Sequence, residues 1–132
     1  MRAAKVMLAG LALSVAGLAP ADEAQRFPDV VGVEVTEAGE NSFDFDVTLS
    51  SPYDSPSRYA DAFRVLGPGD EELGVRELLH HHAGEQPFTR RLAGVEIPAE
   101  IDSVTVQGRD QEHGYGGEAQ TVTLPGRQGG DE

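Results

Sequence analysis

Ser42-Phe43-Asp44-Phe45-Asp46-Val47-Thr48-Leu49-Ser50 decides the fold. Phe43, Phe45, Val47 and Leu49 alternate strictly with Asp44, Asp46 and Thr48, and a period of two sends the apolar side chains to one face and both carboxylates to the other. That is a strand half buried in a core. Asp44 and Asp46 read as its solvated face rather than as a cation site.

Working outward, Gly39-Glu40-Asn41 is a turn, and before it Val31, Val33 and Val35 alternate with Gly32 and Glu34 as a second strand. After the opening stretch, residues 51–58 carry Pro52 and Pro56 among Ser and Asp and form a loop. Residues 59–66 read as a strand covered in part on both faces, closed by the turn Gly67-Pro68-Gly69-Asp70. Residues 71–79 admit two readings. Val75, Leu78 and Leu79 fit helical spacing, and Glu72 with Arg76 makes a favourable i,i+4 pair, whereas Gly74 weakens a helix and the preceding turn sets up a hairpin. The strand is preferred. Residues 88–97 form a strand broken at Gly94, Pro98 starts a corner, 103–110 is a strand, 111–117 with its three glycines is a hairpin loop, and 120–124 is the last strand.

Seven short strands at regular spacing, with no convincing long helix or internal repeat, predict an all-β, immunoglobulin/fibronectin type III-like two-sheet sandwich over residues 30–125. In front of it, Met1-Arg2-Ala3-Ala4-Lys5 precedes an apolar run to Leu18 and then Ala19-Pro20-Ala21, the pattern of a secretory signal peptide over 1–21. The apolar run is too short to cross a bilayer, so no membrane span is expected after cleavage. Residues 22–29 read as an N-terminal arm and 126–132 as a disordered polar tail. The expected location is periplasmic or secreted.

The chain has no cysteine, which removes disulfides, the lipobox of a bacterial lipoprotein, blue-copper and iron–sulfur chemistry. Its formal net charge is −13; loss of Arg2 and Lys5 with the signal leaves eight basic residues, all Arg, against 23 acids, a net −15. Nucleic acid is excluded as a natural partner by that balance. No Gly-x-Ser-x-Gly elbow or dinucleotide loop is present, and no enzymatic activity is expected.

The sharpest chemistry lies in His80-His81-His82-Ala83-Gly84-Glu85-Gln86-Pro87-Phe88. On an extended backbone residues i and i+2 point the same way, roughly 7 Å apart, so His80 and His82 can close on one ion. In an immunoglobulin-like topology the loops 51–58, 80–82 and 111–117 share one rim, which brings in His113 as a third ligand and Glu85 as an oxygen donor or ring-orienting acceptor. Nitrogen and oxygen donors without sulfur suit copper or zinc. Against this metal-binding module stands a structural or protein-interaction module of the cell envelope, in which the histidines are loop residues and no metal binds. In Arg90-Arg91 and Arg109-Asp110 the arginines read as ion-pairing groups, and Gln86-Pro87-Phe88 as the anchor of a strand start.

Several stretches carry a resemblance. They are Tyr59-Ala60-Asp61-Ala62-Phe63-Arg64-Val65-Leu66-Gly67, Leu73-Gly74-Val75-Arg76-Glu77-Leu78-Leu79-His80, Glu85-Gln86-Pro87-Phe88-Thr89-Arg90, and Arg109-Asp110 with His113-Gly114. Over residues 59–117 the chain resembles an uncharacterised family of small exported bacterial proteins with a His-x-His element before Glu-Gln-Pro-Phe. The resemblance implies a secreted β-sandwich with His80, His82, Glu85 and His113 as shared features, and implies no activity.

Overall fold

The computed structural model describes residues 25–127; the signal segment 1–21, residues 22–24 of the arm and residues 128–132 of the tail lie outside the described residues. The strands are β1 (Asp29–Gly39), β2 (Ser42–Ser50), β3 (Ala60–Leu66), β4 (Glu72–Glu77), β5 (Phe88–Glu96), β6 (Ser103–Asp110) and β7 (Gly114–Thr123). They form two antiparallel sheets, in the orders β1-β2-β5 and β4-β3-β6-β7. This is the two-sheet sandwich expected from the alternation. No helix among the described residues is long and apolar enough to cross a membrane.

β2 is the centre of its sheet, and its alternation is realised residue by residue. Phe43, Phe45, Val47 and Leu49 are buried, facing Phe63 and Val65 of β3 and Val104 and Val106 of β6 in one core. On the outer face Arg91 of β5 meets Asp46 through two 2.9 Å hydrogen bonds and approaches Asp44 at 3.6 Å. Asp44 also accepts the Gly94 N–H, which pins the irregularity at the positive-φ Gly94 where the sequence breaks. The two carboxylates serve the sheet surface.

Segment 71–79 resolves as a strand with a loop behind it. β4 pairs with β3 from Ala62 opposite Glu77 to Leu66 opposite Glu72, and the turn before it is held by Gly67 and Glu71 backbone groups at 2.9 Å. A Cβ on Gly74 would meet Leu92 and Val95 at 3.2 and 3.3 Å, so this glycine lets β4 lie close to β5 of the opposite sheet.

Three details differ from the reading of the sequence. A bulge between Val30 and Gly32 puts Val30 in the core and leaves Val31 50% exposed, because the extra residue reverses the parity before Val33 and Val35 resume it. The hairpin loop after β6 is also shorter than 111–117. Asp110 accepts the backbone N–H groups of Glu112 and His113 and closes a tight turn, so β7 already begins at Gly114. At the C-terminal end Arg127 still belongs to the folded body, donating to the carbonyls of Ile97, Pro98 and Ile101 and to Asn41.

Phe45 has no exposed surface and lies in the central strand of its sheet. Phe45→Ala is expected to lower unfolding free energy by about 4 kcal/mol in urea titration. A loss below about 1 kcal/mol would contradict the central place given to β2.

Candidate functional site

One end of the sandwich is organised by a buried carboxylate. Asp54, 5% exposed, accepts the backbone N–H of Ala60 at the start of β3 through Oδ1 and that of His82 through Oδ2, each at 3.0 Å. Beside it the Gln86 side chain accepts the Ser51 N–H at 2.7 Å and donates to the His82 carbonyl at 3.0 Å. Gln86 is therefore the anchor expected before β5. Loop 51–58, loop 78–87 and the first residue of β3 are tied into one unit, and the rim predicted from topology exists.

The histidine loop is shaped by that unit. His82 is 7% exposed and stacks on Phe88, with centroids 4.0 Å apart and planes 13° from parallel. His80 is exposed and lies beside it, the two ring centroids 5.4 Å apart. His81 accepts the Ala83 N–H on Nδ1. Burial is the main force that lowers the pKa of His82, and the Arg90 guanidinium adds to it, against the smaller pull of Asp54 and Glu85. Its Nδ1 is buried with no hydrogen-bond partner among the described residues.

His80 and His82 line a small open pocket of about 150 Å³ together with Arg76, Glu77, Leu78, Leu79 and Arg90. Leu78 is buried, whereas Leu79 is 77% exposed at the pocket mouth. Arg76 pairs opposite Phe63, and Arg90 opposite Val47, so both share the inner face of their sheets while standing on strands with one open edge. The open seam between β4 and β5 thus holds two guanidinium groups. The sequence reading took Arg90 only as an ion-pairing group, although parity in Phe88, Arg90, Leu92 was a signal for its inward face; Arg76 became visible only through pairing with β3.

The remaining proposed ligands are engaged by other partners. Glu85 is held by Arg90 at 3.1 Å, which lowers its pKa. His113 is pulled back by the Asp110 turn, and its ring meets Phe27 of the N-terminal arm edge-on at 6.1 Å. Among the described residues no three His, Asp or Glu side chains are grouped to hold a metal ion. The structure brings His80 and His82 together and does not bring His113 to them.

A second buried carboxylate, missed in the sequence, explains that outcome. Asp110 is 1% exposed and receives Arg58 at 3.1 Å. Burial opposes its charge, yet Tyr53, the His113 N–H, Arg58 and the Glu112 N–H together hold its pKa below the ordinary carboxylate value. Burial, reinforced by Asp110, raises the Tyr53 hydroxyl far above its usual range. Arg58 also lies 4.1 Å over the Tyr53 ring and donates to the carbonyls of Gln25 and Arg26. The arm is strapped down there, with Phe27 filling the space over Gly116 where any Cβ would clash at 2.6 Å.

Because the pKa of His82 is lower folded than unfolded, neutral His82 supports a stability that is complete above the unfolded value, about 6.5, and declines as pH falls through the folded one. The depressed Asp110 acts in the same direction only below about pH 4. Urea midpoints are therefore expected to fall between pH 7 and 5, with a shallower fall in His82→Gln. Equal slopes in both proteins would contradict burial of a neutral imidazole.

No family model and no solved structure match the chain. A protein of Halomicrobium mukohataei named "Putative lipoprotein" is 42% identical over 97 residues, which take in 74% of this chain and 47% of that protein. The chain thus spans about half the length of the relative it is similar to.

Proposed function

We propose that the chain is an exported β-sandwich module of the cell envelope that binds rather than catalyses, and that its binding surface is the pocket at the β4–β5 end. The similarity to a protein named as a lipoprotein supports the envelope setting, as does the signal-like segment 1–21. One observation carries the choice of surface. There a network of buried Asp54 and Ser51 with half-buried Gln86 holds two loops rigidly, yet presents Leu79 and the His80 ring to solvent. Rigid scaffolds that display loop side chains in this way are the usual setting of recognition.

For catalysis the rim offers little. Asp54 spends both oxygens on backbone donors, Glu85 is engaged by Arg90, the Ser51 hydroxyl accepts from Gln86, and the chain has no cysteine. For a cation the setting is poor as well, since Arg76 and Arg90 line the same gap as the two histidines.

A benzophenone side chain placed at position 79 and photoactivated in the producing cell is expected to give a discrete adduct by intact mass. The same group at Ala119, exposed on β7, is expected to give none. No adduct from position 79, or the same adducts from both positions, would contradict the assignment of the surface.

A further inference from the structure

We infer that the β4–β5 pocket recognises a carboxylate carried on a small apolar group, with Arg76 and Arg90 receiving the anion and Leu78, Leu79 and the histidine rings receiving the apolar part. This deepens the binding-module reading and rests on it.

The inference begins with charge in an acidic chain. Arg58, Arg64, Arg90, Arg91 and Arg109 each lie within 4.0 Å of a carboxylate. Arg127 is bound by three carbonyls and Asn41. Arg76, like Arg26 on the exposed arm, has no carboxylate partner among the described residues; its Nη1 donates to the Arg91 carbonyl at 2.6 Å, a contact that spans the seam from one sheet to the other. That bond fixes the guanidinium while leaving the other side of its planar fork uncommitted. A guanidinium so oriented matches the two oxygens of a carboxylate in a way that an ammonium does not.

Arg90 supplies the second positive group, from β5. Its guanidinium lies 5.5 Å from the Phe88 ring centroid, and Phe88 carries the stacked His82 on its own ring. Arg90 donates through both Nη groups to Glu85, at 3.1 and 3.4 Å, and from Nη1 to the Thr89 carbonyl at 2.7 Å; the Glu85 side chain is 54% open, so an incoming anion competes with a solvent-screened pair. Glu77, the one acid of the pocket lining, pairs opposite Ala62, which lies opposite Arg109 on β6, and its charge acts on Arg109. The acid is directed to the outer face of the sheet and Arg76 to the inner.

The apolar half is as specific as the polar one. Leu79 is one of two large hydrophobic side chains exposed among the described residues, and it stands at the mouth beside buried Leu78. A pocket of about 150 Å³ admits a branched aliphatic group and little more. A free branched-chain acid and the C-terminal residue of a protein chain share this chemistry.

The test uses the 15N-labelled protein purified after export and titrated, with amide and arginine Nε shifts followed, by N-acetyl-L-leucine, its uncharged amide and the peptide Gly-Gly-Gly-Leu. Shifts are expected at Arg76, Arg90, His80 and His82, with the amide weaker by about tenfold or more. Arg76→Gln is expected to weaken the acid by a similar factor, while Arg76→Lys retains part of the affinity and keeps a charge at the sheet edge. Tighter binding of the peptide than of the acid identifies a protein terminus as the source; equal binding identifies a small acid. Equal affinity for acid and amide would overturn the carboxylate class while leaving the pocket as a binding surface. Absence of shifts at the pocket, or Arg76→Gln that aggregates at the exposed edge yet binds unchanged, would assign Arg76 to edge protection alone.

Discussion

The rim depends on the carboxylate of Asp54. It is buried, and each of its oxygens accepts a backbone N–H from a different segment, one opening β3 and one inside the histidine loop. A buried carboxylate without such donors is strongly disfavoured, and two buried N–H groups without it would be orphaned. Neither loop can therefore shift alone. The position of His82 on Phe88, the closeness of His80, and the pocket they wall off all depend on that pair of hydrogen bonds.

A parallel arrangement governs the other half of the rim. Asp110 gathers Arg58 and two backbone N–H groups, and Arg58 in turn fastens the arm. The two acids pull the end of the sandwich in different directions. Asp54 draws the first histidine segment inward over the β4–β5 seam, whereas Asp110 folds His113 back toward Phe27. Between them they convert a ring of loops that looks symmetrical in topology into one side that is open and one that is closed. On the open side two guanidinium groups, Arg76 and Arg90, line the pocket of a chain whose net charge is −13, and the proposed carboxylate ligand rests on that local reversal.

The sequence made the layers legible because period-two alternation leaves little freedom. Phe43 to Leu49 could face only one way, and the turn chemistry of Gly67 to Asp70 decided between strand and helix for residues 71–79. The His80–His82 neighbourhood and the ion-pairing role of Arg91 were readable in the same way. Asp54 and Asp110 were hidden for a physical reason. Among 23 acidic residues nothing local separates a solvated carboxylate from a buried one, since burial is set by strands far away in sequence. The same long-range control shortened the β6–β7 turn and carried His113 away, and the bulge at Val31 shows how one inserted residue reverses a parity that looked secure.

Native-state amide hydrogen exchange reads the Asp54 constraint directly. The Ala60 and His82 amides are expected to exchange only with global unfolding, at the same free energy as the amide of Val47 in the core strand. Exchange of either amide through a local opening of small free energy, with Val47 still protected, would contradict a rim held rigid by that carboxylate.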